Sequence, residues 1–235
     1  MAGISFATYD VDMRSVSHAL AAILTLGPVL WLVSVYPQLP ERVPAHWNIH
    51  GQADRWAQKN VFTVFLLAAI SIEVQLLLGL LVHDTYTARE RTTSPAMRHS
   101  LTVMVQMLQP IRFAILFLFG IIIAGFWYGG RAASFWFGPA VLACVAVLVF
   151  VSTTGAYRSW KAQQSYEASA GADAPEFQGE NYRWGLYYNP ADPNFLVHKR
   201  IGIGFTINAA HYRALLYLLL VVTLMGTAIG SAVIL

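Results

Sequence analysis

Five runs of apolar residues, each long enough to cross a bilayer, decide what this chain of 235 residues can fold into. A hydrocarbon layer about 30 Å thick takes roughly 20 residues at 1.5 Å rise each. The runs are Ser15 to Tyr36, Val61 to Val82, one ending near Tyr128, Ser134 to Thr154, and Tyr212 to Leu235. Lipid offers no partner to a free N–H or C=O, so each run must satisfy its backbone internally as a helix. The expected fold is an all-α polytopic membrane protein with about five transmembrane helices. Composition agrees, with 57% hydrophobic and 11% charged residues against about 25% charged in soluble domains. The first run exceeds the apolar stretch of a secretory signal, follows Asp10 and Asp12, and lacks a small-residue cleavage pattern, so a retained helix is expected.

Lys and Arg accumulate on the cytoplasmic side of membrane proteins. With five spans, one side holds eleven: Arg14, Arg89, Arg91, Arg98, Arg112, Arg158, Lys161, Arg183, Lys199, Arg200 and Arg213. The other holds four: Arg42, Arg55, Lys59 and Arg131. The N-terminus is therefore expected in the cytoplasm, the loop 39–59 outside it, the segment 155–211 inside, and the C-terminus outside. Domain organisation follows: a four-helix transmembrane region over 1–154 carrying the loop 39–59, a cytoplasmic linker and small module over 155–211, and a final transmembrane helix over 212–235. Basic residues beside spans suit anionic headgroups, so the net charge of +3 calls for the lipid bilayer as partner and no nucleic acid. The single cysteine, Cys144, lies within the fourth run, which excludes a disulfide or a cysteine metal cluster within one chain.

The loop between the first two spans carries most of the chemistry. Prolines 37, 40 and 44 favour extended or turn backbone. His46, Asn48, His50 and Asp54 follow within nine residues, with Trp47 and Trp56 interleaved and Gly51 suited to a turn. His46, His50 and Asp54 form a possible ligand set for a divalent metal, although no H-E-x-x-H pattern is present. The alternative is a polar turn in which Asn48 and Asp54 bond backbone amides while the Trp rings anchor at the membrane interface.

The loop pattern L-P-x-x-x-P-x-H-W-N-x-x-G-x-x-D-x-W with a following Lys is carried by Leu39, Pro40, Pro44, His46, Trp47, Asn48, Gly51, Asp54, Trp56 and Lys59. It resembles the hallmark of the SdpI-like family of bacterial integral membrane proteins. The resemblance covers roughly residues 15–82. It implies a multi-pass protein of the bacterial cytoplasmic membrane with this loop outside, and a role in immunity to a secreted peptide or in signalling through a cytoplasmic regulator held at the membrane. His50 falls on a variable position of the pattern, which weakens the metal set.

Glu73 and Gln75 interrupt the second run, and an ionisable group at that depth is a functional candidate by default. Arg112 is one expected partner for Glu73; the alternatives are that Arg112 snorkels to the cytoplasmic headgroups and that Glu73 is a protonated or hydrogen-bonded packing residue in a helix interface.

Residues Ala162 to Gly179 read as a flexible linker. Beyond them, Asn189-Pro190-Ala191-Asp192-Pro193 reads as a turn between aromatic stretches suited to a short β-hairpin. The segment resembles a second, uncharacterised bacterial module with the pattern W-G-x-x-Y-N-P-x-D-P-x-x-x-V-x-K-R-x-G-x-G-x-T-x-N. Trp184, Gly185, Tyr188, Asn189, Pro190, Asp192, Pro193, Val197, Lys199, Arg200, Gly202, Gly204, Thr206 and Asn208 match it. Gly202 and Gly204 lack the third glycine and helix start of a nucleotide loop. Lys199 and Arg200 are expected to meet anionic lipid.

Three functions fit. The first is a non-enzymatic membrane protein of immunity or signalling type. The second is a membrane-embedded metal-dependent enzyme or small transporter using His46, Asp54 and Glu73, with no positioned nucleophile in view. The third is a structural subunit of a larger membrane complex, packed through small residues such as Gly226 and Gly230.

Overall fold

A computed structural model describes residues 6–48, 52–128, 134–170, 179–201 and 204–234. The chain is an all-α polytopic membrane protein with small antiparallel strand pairs. Its helices are α1 (Phe6–Val35), α2 (Val61–Arg91), α3 (Pro95–Tyr128), α4 (Ser134–Ala170) and α5 (Arg213–Ile234). Four segments are long and apolar enough to cross a membrane: Arg14–Gln38, Val61–Arg91, Pro95–Gly125 and Phe137–Ala168. α5 has 22 residues, apolar over Arg213–Thr227.

α2, α3 and α4 contain 31, 34 and 37 residues, which makes them roughly 45 to 55 Å long, well beyond the hydrocarbon thickness. The polar ends of these helices therefore continue as helix past their apolar runs. This corrects the linker reading over 162–170, where α4 is unbroken; residues 171–178 of that segment lie outside the described residues. Local chemistry sets two of the starts. The Asn60 side chain accepts a hydrogen bond from the Thr63 amide (2.8 Å), capping α2. Ser94 accepts from the Met97 amide (3.3 Å), with Pro95 at the first helical position. α3 thus starts several residues before Leu101, and Pro110 lies inside it.

The chain divides into two compact units. The first comprises Met1–Gln75, Arg112–Val147 and Met225–Leu235. It holds an antiparallel hairpin of β1 (Arg42–Trp47) and β2 (Ala53–Gln58). Its core joins Leu32 and Val35 of α1, Leu39 and Val43 of the hairpin base, Val64 and Ala68 of α2, and Ile123 of α3. Burying Leu39 and Val43 stabilises the hairpin by on the order of 4 kcal/mol relative to leaving them in water. The expected extended or turn loop is therefore a strand pair fixed to helices.

The second unit comprises Leu76–Ile111 and Leu148–Leu224. It contains two hairpins, β3 (Tyr182–Arg183) with β4 (Leu186–Tyr187) and β5 (Leu196–His198) with β6 (Phe205–Ile207). The single hairpin expected around Asn189–Pro193 is corrected. That segment links β4 to β5, which pair with β3 and β6 respectively. The first hairpin turns at Trp184 and Gly185, both at positive φ (57° and 81°), the conformation a two-residue turn of this hand requires. Phe195 and Leu196 pack with Leu77, Leu80 and Leu81 of α2, Leu101 of α3 and Tyr217 of α5.

Candidate functional site

Four motif residues between α1 and α2, Leu39, Trp47, Asn48 and Lys59, hold the β1–β2 hairpin. Lys59 donates to the carbonyls of Leu39 (2.8 Å) and Pro37 (3.3 Å), and its ammonium lies over the Tyr36 ring. These bonds close the hairpin base. At the other end the Asn48 amide donates to the Gln52 carbonyl (2.9 Å), and the Gln52 amide donates to the Asn48 side chain (3.0 Å). Gly51, expected to shape this turn, lies outside the described residues. Trp47 packs on Phe137 of α4, ring centroids 5.1 Å apart, and its ring lies where a Cβ on Gly125 of α3 would sit 3.0 Å away. Trp47 is thus a packing residue against helices.

His46 and Asp54 face each other across the strands. Nδ1 of His46 lies 2.5 Å from Oδ1 of Asp54, with side chains 56% and 44% exposed. A register irregularity between Pro44 and His46 puts Arg55 opposite His46 and lets the imidazole reach Asp54. The carboxylate holds the ring through Nδ1. Arg55 and Trp56 are exposed beside the pair. His50, the third member of the expected metal set, lies outside the described residues, and among the described residues no three His, Cys, Asp or Glu side chains converge on a metal position.

Glu73 and Arg112 are not partners of each other. Arg112, 1% exposed, donates from Nε to the Gln75 side chain (2.9 Å) and lies 3.5 Å from Nδ1 of His18. Glu73 instead accepts from the Thr227 hydroxyl (2.7 Å). Two residues along a helix turn through about 200°, so Gln75 facing Arg112 turns Glu73 toward α5. The Glu73–Arg112 pair and the snorkelling alternative are both corrected: Arg112 is buried among polar side chains of its own unit. A Cβ on Gly226 would meet open space among the described residues, so that glycine mediates no close helix approach to any of them.

In the second unit the matching polar residues are structural. Asn208, 1% exposed, donates from Nδ2 to the carbonyls of Asn189 (2.8 Å) and Asp192 (3.1 Å), and its Oδ1 accepts from the amides of Asn189 and Ala210 (both 3.1 Å). Asp192 accepts from the Tyr187 hydroxyl (2.8 Å) and the Asn194 amide (2.9 Å), and Asn189 from the Ala191 amide (3.0 Å). Trp184, Lys199 and Arg200 are exposed; Gly202 lies outside the described residues.

Several residues not singled out from sequence organise this unit. Gln163, on the continuation of α4, accepts from the Gly204 amide (2.8 Å). Tyr166 stacks on His198 at 4.1 Å, with Phe205 near the imidazole at 4.3 Å. Burial pushes the His198 pKa down to about 4, with the Gly204 backbone offsetting this in part. Asp84 of α2 is buried and pairs with Arg213 and the Tyr217 hydroxyl of α5. Asp84 sits just past the Val61 to Val82 run, where sequence gives no sign that a carboxylate will be enclosed.

The fold and sites define a multi-pass membrane protein with a polar hairpin after its first helix. A domain of unknown function (DUF1648) matches residues 23–72, which include every residue of the motif loop. A family of unknown function (DUF5808) matches residues 190–215, taking in Asp192, Lys199, Arg200 and Asn208. No curated protein and no solved structure matches the chain.

Proposed function

We propose that this is a non-enzymatic bacterial membrane protein of immunity or signalling type, whose β1–β2 hairpin receives an extracytoplasmic peptide or envelope stress signal. One observation supports it most. Lys59, Asn48, Trp47, Leu39 and Val43 are occupied in fixing the hairpin, while His46 and Asp54 form an ordered, exposed pair with Trp56 beside them. An imidazole held by a carboxylate next to an exposed indole suits a peptide, offering a hydrogen-bonding group and an apolar surface together. The resemblance to SdpI-like proteins points the same way. Moving Arg112 from the charge count to the helix interior leaves ten basic residues against four, so the proposed topology keeps the hairpin outside and the β module in the cytoplasm.

The test is deletion of the gene followed by challenge with secreted peptides and membrane-active agents. Increased sensitivity, reversed by the wild-type chain, is expected. Unchanged sensitivity to every agent, or recovery of the protein as a fixed stoichiometric member of an unrelated membrane complex, contradicts the proposal.

A further inference from the structure

The β module of the second unit leaves apolar side chains in the open where its own packing does not need them. Trp184 is 102% exposed and sits at φ +57°, a conformation that bulky L residues rarely adopt. Ile201, in the turn between β5 and β6, is 84% exposed, and Leu186 is also exposed. Exposed Arg183 precedes Trp184 and pairs across the strands with Leu186, and exposed Lys199 and Arg200 precede Ile201. The two hairpins form one body, since the Arg200 amide donates to the Tyr182 hydroxyl (3.1 Å) and the Ala209 amide to the Tyr187 carbonyl (2.8 Å).

The seat of the module bears on its depth. Phe195 and Leu196 pack on Leu77, Leu80 and Leu81, which belong to the last turns of the Val61 to Val82 apolar run. A body resting there lies where hydrocarbon gives way to headgroups. Trp favours that layer, and Lys and Arg beside it meet anionic phosphates.

We propose that the module docks on the bilayer surface beside its own helices, with Trp184 and Ile201 entering the headgroup layer and Arg183, Lys199 and Arg200 holding anionic lipid. Isolated apolar tips flanked by basic residues match a charged, deformable lipid surface better than a shaped protein groove. The inference concerns only the second unit and stands apart from the role proposed for the outer hairpin.

The test uses the full chain in lipid nanodiscs. In a Cys144→Ala background, Trp184→Cys and Ile201→Cys are spin-labelled separately, and each label's accessibility to oxygen and to an aqueous nickel chelate is measured. In discs containing phosphatidylglycerol both labels are expected to favour oxygen. In phosphatidylcholine alone, or with Arg183, Lys199 and Arg200 replaced by Ser, the preference is expected to reverse toward the chelate. Labels that favour the chelate in both lipids overturn the proposal and leave a soluble partner as the occupant. Immersion indifferent to headgroup charge overturns the role given to the three basic residues. The Ile201 label keeps the test valid if the Trp184 variant fails to fold.

Discussion

The β1–β2 hairpin and the β3–β6 module are both short strand pairs fixed to helices, yet they spend their polar residues differently. In the module the Asn208 side chain bonds the backbones of Asn189 and Asp192, the side chains of Asn189 and Asp192 accept from the amides of Ala191 and Asn194, and all three are consumed by folding. In the hairpin Lys59 and Asn48 do that work, and the His46 and Asp54 side chains bond each other at the surface. A sequence pattern thus marks two kinds of residue at once. Those whose hydrogen bonds close the fold explain its shape, and those left over are the candidates for function.

The sharpest way to break this comparison is Asn208→Ala. It strands two amides and two carbonyls, each worth about 1 kcal/mol, so the module should lose about 4 kcal/mol. Hydrogen exchange should show protection lost over 182–208 and retained over β1–β2. Equal loss in both regions would mean that the two are not separately held.

Acid should act on the same region. His198 binds its proton less readily folded (about 4) than unfolded (about 6.5), so the unfolded module takes up more protons between those values. Its contribution is complete above about pH 6.5, falls by about 2 kcal/mol at pH 5, and is lost by about pH 4. Exchange protection of β5 and β6, corrected for intrinsic rates, should fall from pH 7 to pH 5 in the wild type and stay level in His198→Phe.

How much of this was legible in the sequence follows from range. The helices were, because lipid leaves the backbone no alternative and apolar length alone reports them. The α3 start was available in Ser94-Pro95, a cap followed by a proline at the first helical position, and the β3–β4 turn in Trp184-Gly185. The hairpin after α1 was masked by its prolines, and contacts with distant residues such as Val64 and Ile123 help hold it as strands. His46 and Asp54 were legible as a motif but not as a pair. Asp84, Gln163 and His198 were invisible, since their burial depends on elements far away in the chain.

Two milder substitutions sharpen the contrast from the hairpin side. Lys59→Met removes a charged donor from two carbonyls and should cost about 2 kcal/mol, read as faster proteolysis of the 39–59 segment. His46→Ala removes only an exposed pair and should change stability by less than about 1 kcal/mol, within error in a thermal melt of the full chain.

The most direct measurement sets those two effects against function. In a deletion strain, His46→Ala and Asp54→Ala chains are expressed to wild-type membrane abundance, and sensitivity to the agent that distinguishes wild type from deletion is scored. The expected result is a normally folded, normally abundant protein that fails to restore resistance in either variant. Full restoration by both would contradict the assignment of the His46–Asp54 pair as the hairpin's functional feature.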